Sequence, residues 1–304
     1  MWNKPWSLIE GFTIGGGLIL VGFLLQFTIG PVNWDVFAYP VNVIFLALLV
    51  AILILCYSLS SRVYAIRFLM SWKSAVSALL FAVILTAIMG VTQQVPAELA
   101  PVDPIGFTKM LSFWPFILIY VWLTVIIGLV AIRQMLHFQW CQFPSLTSHI
   151  GLFLVLSCAT LGSADMQRLK MYCEYDKPEW RALDSHQQVH SLNLAIQLNH
   201  FIMEEFKEDK MPKRFASNVE IMTKDGEHLQ TTIEVNKPFA IDGWKIYQYG
   251  YDQAMGPMSR FSIFELVRDP WFPAVYTGFG LLCLGALSTF FTTKRERRQT
   301  HDMG

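Results

Sequence analysis

The sequence predicts a polytopic α-helical membrane protein of about six spans that carries one external, mainly antiparallel β domain. Three observations predict it. Of 304 residues, 54% are hydrophobic and only 15% charged, with a mean hydropathy of +0.41, whereas soluble domains carry about 25% charged residues. The charge is also segregated, because 30 of the 46 Asp, Glu, Lys and Arg residues lie between Asp165 and Asp269. Within that same segment the apolar residues switch to a spacing of two, the signature of strands. Together these exclude a disordered chain, a basic nucleic-acid binder and a single soluble globule. A formal net charge of zero gives no support to a nucleic-acid partner.

Six stretches are long enough to cross a hydrocarbon core that needs about 20 apolar residues per helix. They run over Ile9–Ile29, Val41–Leu59, Ser74–Val91, Ser112–Met135, Leu146–Gly162 and Phe272–Thr292. Their ends carry chemical markers. Ser7 and Glu10 form an S-x-x-E capping box, and Pro31, Pro40 and Pro144 flank helix ends. Trp6, Trp34, Trp72, Trp114 and Trp271 fall where helices meet water, as interfacial anchors do. The first span is too long for a signal-peptide h-region, lacks an A-x-A-like site and is followed at once by another span, so it reads as a retained helix.

Orientation follows from Lys and Arg on the short loops. Lys4, Arg62, Arg67, Lys73, Arg133 and the tail residues Lys294, Arg295, Arg297 and Arg298 gather on one side, and the opposite short loops hold only Lys109. Both termini are therefore expected in the cytoplasm. The expected organisation is a membrane domain of five spans over 1–164, an external, periplasmic β domain over 165–270, and a sixth span with a basic cytoplasmic tail over 271–304. Cys173 alone faces outside, so no disulfide can form within the external domain. The chain has no C-x-x-C-H and is not itself a c-type cytochrome.

In the external domain, Asp165 to Gln188 is polar and aromatic without a clean period and reads as a connector with room for a short helix. Beyond it, Leu192, Leu194, Ile196 and Leu198 alternate, then Val219 and Ile221, Ile233 and Val235, Trp244 and Ile246, and later Phe261, Ile263 and Phe264. Asp225-Gly226 and Asp242-Gly243 supply turns between them. Five or six strands closing into a small sandwich-like domain are expected. His186 and His190 stand four apart with His200 beyond, a spacing that could suggest metal, but their surroundings lack a third ligand at a helix or turn spacing and they read as solvated; no nucleophile elbow or phosphate-cradling loop occurs. The domain reads as a docking surface rather than an enzyme site.

Phe215-Ala216-Ser217, Val235-Asn236-Lys237-Pro238, the run from Gly243-Trp244-Lys245 to Gly250-Tyr251-Asp252, and Asp269-Pro270 before an apolar helix with Tyr276 and Gly278 resemble the ResB (CcsB) family. The resemblance covers roughly Leu192 to Phe290. An architectural role accounts for these residues as well: Asn236-Lys237-Pro238 turns a strand, Gly243 frees the backbone, and Pro270 divides the last strand from the last span. The resemblance implies a cytochrome c biogenesis component of System II in a bacterial plasma membrane. It implies a ResC/CcsA-like membrane partner and a haem lyase complex in which haem b is carried to the outer face and joined to the C-x-x-C-H cysteines of apocytochrome c. The tryptophan-rich haem-presenting loop of that system belongs to the partner and is missing here, so the chain would be incompetent alone. Relatives with about four spans and a larger external domain differ from this chain, which leaves the place of the first two spans open.

Within the fifth span, Thr147-Ser148-His149-Ile150-Gly151 sets an imidazole about one turn inside the cytoplasmic end of an apolar helix. Ionisable groups at that depth usually face the bundle interior and mark function. The resembled family has a membrane histidine in an S-H-x-G setting just before its external domain, proposed to ligate haem, and the resemblance makes His149 the candidate for haem iron. His137 ends the fourth span on the same side and is a weaker candidate, since an interfacial histidine needs no further explanation. Two other readings stay open at this point: a scaffold that stabilises the partner without touching haem, and a b-type redox subunit, which would want paired histidines on facing helices.

Overall fold

The computed structural model describes residues 2–96, 99–205 and 212–301, without the side chains of 205, 212, 213 and those from 292 onward. The tail cations Lys294, Arg295, Arg297 and Arg298 thus lie outside the described side chains. The chain divides into two compact units, Met1–Ala164 with Trp271–Gly304, and Asp165–Pro270.

The first unit is helical. Its long helices are α1 (Leu8–Ile29), α2 (Val41–Leu59), α4 (Trp72–Val91), α5 (Trp114–Leu136), α6 (Phe143–Gly162) and α7 (Phe272–His301), with a short α3 (Tyr64–Leu69) between α2 and α4. Six of them are long and apolar enough to cross a membrane, as the sequence predicts. The capping box forms: the Ser7 hydroxyl accepts from the Ile9 N–H at 3.1 Å, and Glu10 accepts from the Ser7 N–H at 2.7 Å. Helix α5 is the hub. Half of its apolar window is buried inside the protein, against 11% for α2 and α7, and it packs on α1, α2, α4 and α6. Large side chains such as Leu20, Val83 and Phe290 stay exposed around the unit, the belt that a lipid solvent requires.

Small residues bring α6 and α7 together. A Cβ on Gly285 would lie 2.2 Å from the Ser148 Oγ, and one on Gly151 would lie 2.7 Å from the Gly278 carbonyl oxygen. The glycines of the last span therefore seat it on α6, the close approach that small-residue faces permit in membranes. Buried Asn42 ties α2 to α6 by donating from Nδ2 to the Leu161 carbonyl at 3.2 Å.

At the other end of the helices, the segment between α4 and α5 is held by one carboxylate. Asp103 accepts from the N–H groups of Gly106, Phe107 and Thr108 at 2.6, 2.8 and 2.8 Å, and from the Thr108 hydroxyl. Partial burial opposes its charge, but these donors outweigh burial and hold the carboxyl well below the usual range. A carboxyl depressed in the folded state stabilises it above the ordinary Asp value of about 3.9 and loses that contribution as pH falls through the lower folded value. Protease protection of the 92–113 segment is therefore expected to be flat from pH 7 to about 5 and to fall only below about pH 4. Asp103→Asn, which accepts fewer hydrogen bonds, is expected to lower protection at pH 7; full protection in that variant would refute the assignment.

The second unit is one antiparallel sheet of eight strands: β1 (Gln167–Glu174), β2 (Pro178–Leu183), β3 (Val189–Glu205), β4 (Pro212–Thr223), β5 (His228–Glu234), β6 (Phe239–Ile241), β7 (Trp244–Tyr251) and β8 (Phe261–Arg268). The order across the sheet is β5-β4-β3-β2-β1-β8-β7-β6. This corrects two expectations. The stretch read as a connector forms β1 and β2, which lie mid-sheet, and the domain is a single curled sheet rather than a sandwich. Curling brings non-neighbours together: the Ser217 and Ser262 hydroxyls, on β4 and β8, meet at 2.7 Å in the buried interior, and Tyr251 stacks on Phe201 with ring centroids 5.1 Å apart. Irregularities at Leu198/His200 and Gln248/Gly250 bend β3 and β7.

The interior cluster takes Leu169, Met171 and Cys173 from β1, Ile196 from β3, Ile221 from β4, Ile233 from β5, Ile246 from β7, and Phe264 and Leu266 from β8. Phe261 and Ile263 lie on the face opposite Phe264. Cys173 is fully buried, and burial pushes its thiol up, so it is a core residue with little thiolate character. The predicted turns form. Asp242 (φ 50°) and Gly243 (φ 78°) make the two-residue link between β6 and β7, and Asn236 (φ 66°) turns the chain after β5.

Candidate functional site

Helix α6 begins at Phe143 with Pro144 in its first turn, where a missing N–H costs nothing. The start lies three residues before the predicted one, which sets His149 nearer two turns than one from the helix end. The hydroxyls of Thr147 and Ser148 bond back to the Phe143 and Pro144 carbonyls at 2.7 and 2.9 Å, which leaves them no lipid-facing polar atom unpaired.

The S-H-x-G sequence divides between two faces. Ser148 and Gly151 meet α7 at Gly285 and Gly278. His149 turns to α5, where its Nδ1 lies 3.0 Å from the Gln134 Oε1 and 3.3 Å from the Ser145 Oγ. Gln134 in turn donates from Nε2 to the Ser145 Oγ at 3.0 Å. With an amide oxygen against Nδ1, that nitrogen carries a ring proton and donates it. Among the described residues Nε2 has no hydrogen-bond partner. The half-buried ring is thus fixed at one nitrogen and free at the other, the arrangement that a second-sphere acceptor gives to metal-binding histidines.

His137 caps the end of α5, is exposed, and makes no side-chain hydrogen bond among the described residues. Opposite His149 stands Gln134, three residues before His137, so the facing pair of histidines that a b-type redox subunit calls for is not formed by these two. Gln134 and Ser145 are the residues that sequence reasoning passes over. Each carries a signal: one is a polar residue in the last turn of an apolar span, the other lies one turn before the histidine.

In the β unit, His190 Nε2 lies 2.9 Å from Asp184 Oδ2 and His228 Nδ1 lies 2.7 Å from Glu220 Oε1. The first contact, with the backbone N–H groups of Gln188 and His186, holds the Asp184 carboxyl below the usual range. His186 and His200 are exposed. Among the described residues no three His, Cys, Asp or Glu side chains converge as a metal site.

No curated protein matches the chain. A solved structure titled cytochrome c heme lyase CcmF aligns with 93% of the chain at 13% identity and a TM-score of 0.36, too low to place any residue, and the chain spans only 46% of that structure's length. Residues 139–259 match the ResB-like family, a stretch that takes in α6 with His149 and strands β1 to β7 but is less than half of the chain. From the start of α6 through most of the β unit, the chain is similar to the ResB-like family, a family of cytochrome c biogenesis.

Proposed function

We propose that the chain is a membrane subunit of a haem-delivery and cytochrome c synthase complex of the System II kind. It works with a ResC/CcsA-like partner to carry haem b towards the outer face, where haem is joined to apocytochrome c. The observation that supports this reading is the setting of His149: an imidazole inside the family-matched stretch, its Nδ1 engaged by Gln134 and its Nε2 without a partner among the described residues. The donor set fits the group, since neutral imidazole is a common axial ligand of haem iron. When bound, haem would supply an iron atom that the His149 imidazole could ligate. In this reading the protein holds the ring: Gln134 keeps the proton on Nδ1, Ser145 braces the amide, and Ser148 with Gly151 locks the helix against α7. Both termini then lie in the cytoplasm and 165–270 lies outside, where the β unit meets the partner or the apocytochrome.

The full chain, co-produced with its ResC-like partner and purified in detergent, tests this by the absorbance of bound haem per mole of protein. His149→Ala is expected to remove most of it, and added imidazole to restore part. Gln134→Leu keeps the ligand but loses the acceptor on Nδ1, and is expected to weaken haem retention by about tenfold. Equal haem content and equal cytochrome maturation in His149→Ala would eliminate the ligand role and leave the scaffold reading. His137→Ala is expected to retain haem.

A further inference from the structure

The ends of α1 and α4 and the short α3 enclose a cavity of about 130 Å³, lined by Trp6, Tyr64, Arg67, Ser71, Trp72 and Lys73 among others. From it we infer a binding site for the phosphate-bearing headgroup of an anionic phospholipid. Two cations line it without an acid to answer them. Lys73 donates from Nζ to the Trp6 carbonyl at 3.1 Å, and Arg67 lies over the Tyr64 ring, 5.4 Å from its centroid. Lys4 approaches the same ring at 5.2 Å. Among the described residues no carboxylate forms a salt bridge with any of the three. Glu10, the acid of this end of α1, is taken up by the N–H groups of Ser7 and Trp2 and by the Ser7 hydroxyl. An anion entering the cavity would therefore meet two unneutralised side chains, one of them half-buried, in surroundings of low polarity that strengthen the attraction.

Size and setting decide which anion. The cavity is too small for a macrocycle or a peptide, and it suits a phosphodiester with part of a headgroup. Trp72, 65% exposed, stands at the edge, where indoles anchor at the headgroup level. Below it, Ile9 and Phe12 on α1 and Val76, Leu79 and Leu80 on α4 are exposed apolar side chains that can receive acyl chains. Free phosphate would use the cations and leave that apolar surface unused.

The test uses the full chain in bilayer nanodiscs of phosphatidylcholine, with phosphatidylglycerol added in steps, and reads the thermal midpoint and lipid retention by native mass spectrometry. Phosphatidylglycerol is expected to raise the wild-type midpoint and to be retained over phosphatidylcholine. Arg67→Gln and Lys73→Gln are each expected to weaken retention by about fivefold. Arg67→Gln alone, which breaks no backbone contact, guards against misfolding of the Lys73 variant, and equal midpoints in pure phosphatidylcholine show the fold intact. Arg62→Gln, on the same side but outside the cavity, is expected to keep the full response. An equal loss in Arg62→Gln, or none in Arg67→Gln, would make the effect one of diffuse charge and overturn the site. Inorganic phosphate giving the same stabilisation without anionic lipid would overturn the lipid assignment.

Discussion

Replacing Gly151 with leucine is expected to destabilise the α6/α7 pair by about 3 kcal/mol, the upper range for overpacking a close contact. A Cβ at that position would lie 2.7 Å from the Gly278 carbonyl oxygen and 2.9 Å from the Leu282 nitrogen, both backbone atoms that cannot rotate away. The reciprocal contact is as tight, with a Cβ on Gly278 falling 2.9 Å from the Gly151 carbonyl. In lipid there is no hydrophobic gain from helix pairing, so close packing itself carries the association, and separating the backbones removes it. Among the described residues helix α7 makes its main packing contact with α6, so this seam carries most of its attachment. Gly280, on the same helix with nothing within 4 Å of its Cβ, is the control, and Gly280→Leu is expected to be neutral. Thermal midpoints in detergent and proteolytic release of α7 measure both. Equal behaviour of the two variants would mean that α7 is not held by this seam.

The same contacts explain how much of the site was legible from residues alone. Hydropathy and capping chemistry place the long helices to within three residues at each start, because a membrane helix must satisfy its backbone internally and its length is set by the bilayer. His149 stands out because an ionisable group is conspicuous in an apolar run. Gln134 does not, since a polar residue in the last turn of a span is ordinary until tertiary packing sets it opposite a ring. Glycine in a membrane helix is similarly common, and only the close backbone approach at Gly151, Gly278 and Gly285 separates packing glycines from Gly280.

In the β unit the strongest signals were the two-residue turn at Asp242-Gly243 and the long alternation of β3. Strand β1 is hard to read from the sequence although Leu169, Met171 and Cys173 alternate inward, because Tyr172 between them breaks the apolar–polar contrast on which the pattern depends. Strand β2 opens on Pro178 and buries only Ala182, and no local pattern announces it. Its place comes from pairing with β1 and β3. The curl of the sheet is also tertiary. It rests on bends in β3 and β7 and on the meeting of Ser217 with Ser262 across four intervening strand pairings, which no spacing in the sequence encodes.

Phe264→Ala is expected to cost the β unit 3 to 5 kcal/mol, roughly the price of a buried phenyl ring plus the void it leaves. The ring is fully buried, pairs in register with Met171 on β1 and Gln248 on β7, and lies on the strand whose pairing with β1 joins the two halves of the sheet. A gap there loosens β8 from both neighbours at once, and the loss should appear as one cooperative shift rather than as local fraying. Every residue of the interior cluster comes from within 165–270, so this segment produced by itself is expected to fold, and urea denaturation of it gives the number. Phe261→Ala removes the same ring from the opposite, half-buried face and is expected to cost less than about 1.5 kcal/mol, since less area returns to water. The contrast between the two variants is the measurement that matters: equal costs would mean that the curled sheet does not enclose the interior described here. The buried Gln248 Oε1, which lacks a partner among the described residues, adds a second readout. Water admitted by the void can bond to it, so the cost should sit towards the lower end of the range while the unfolding transition keeps its slope.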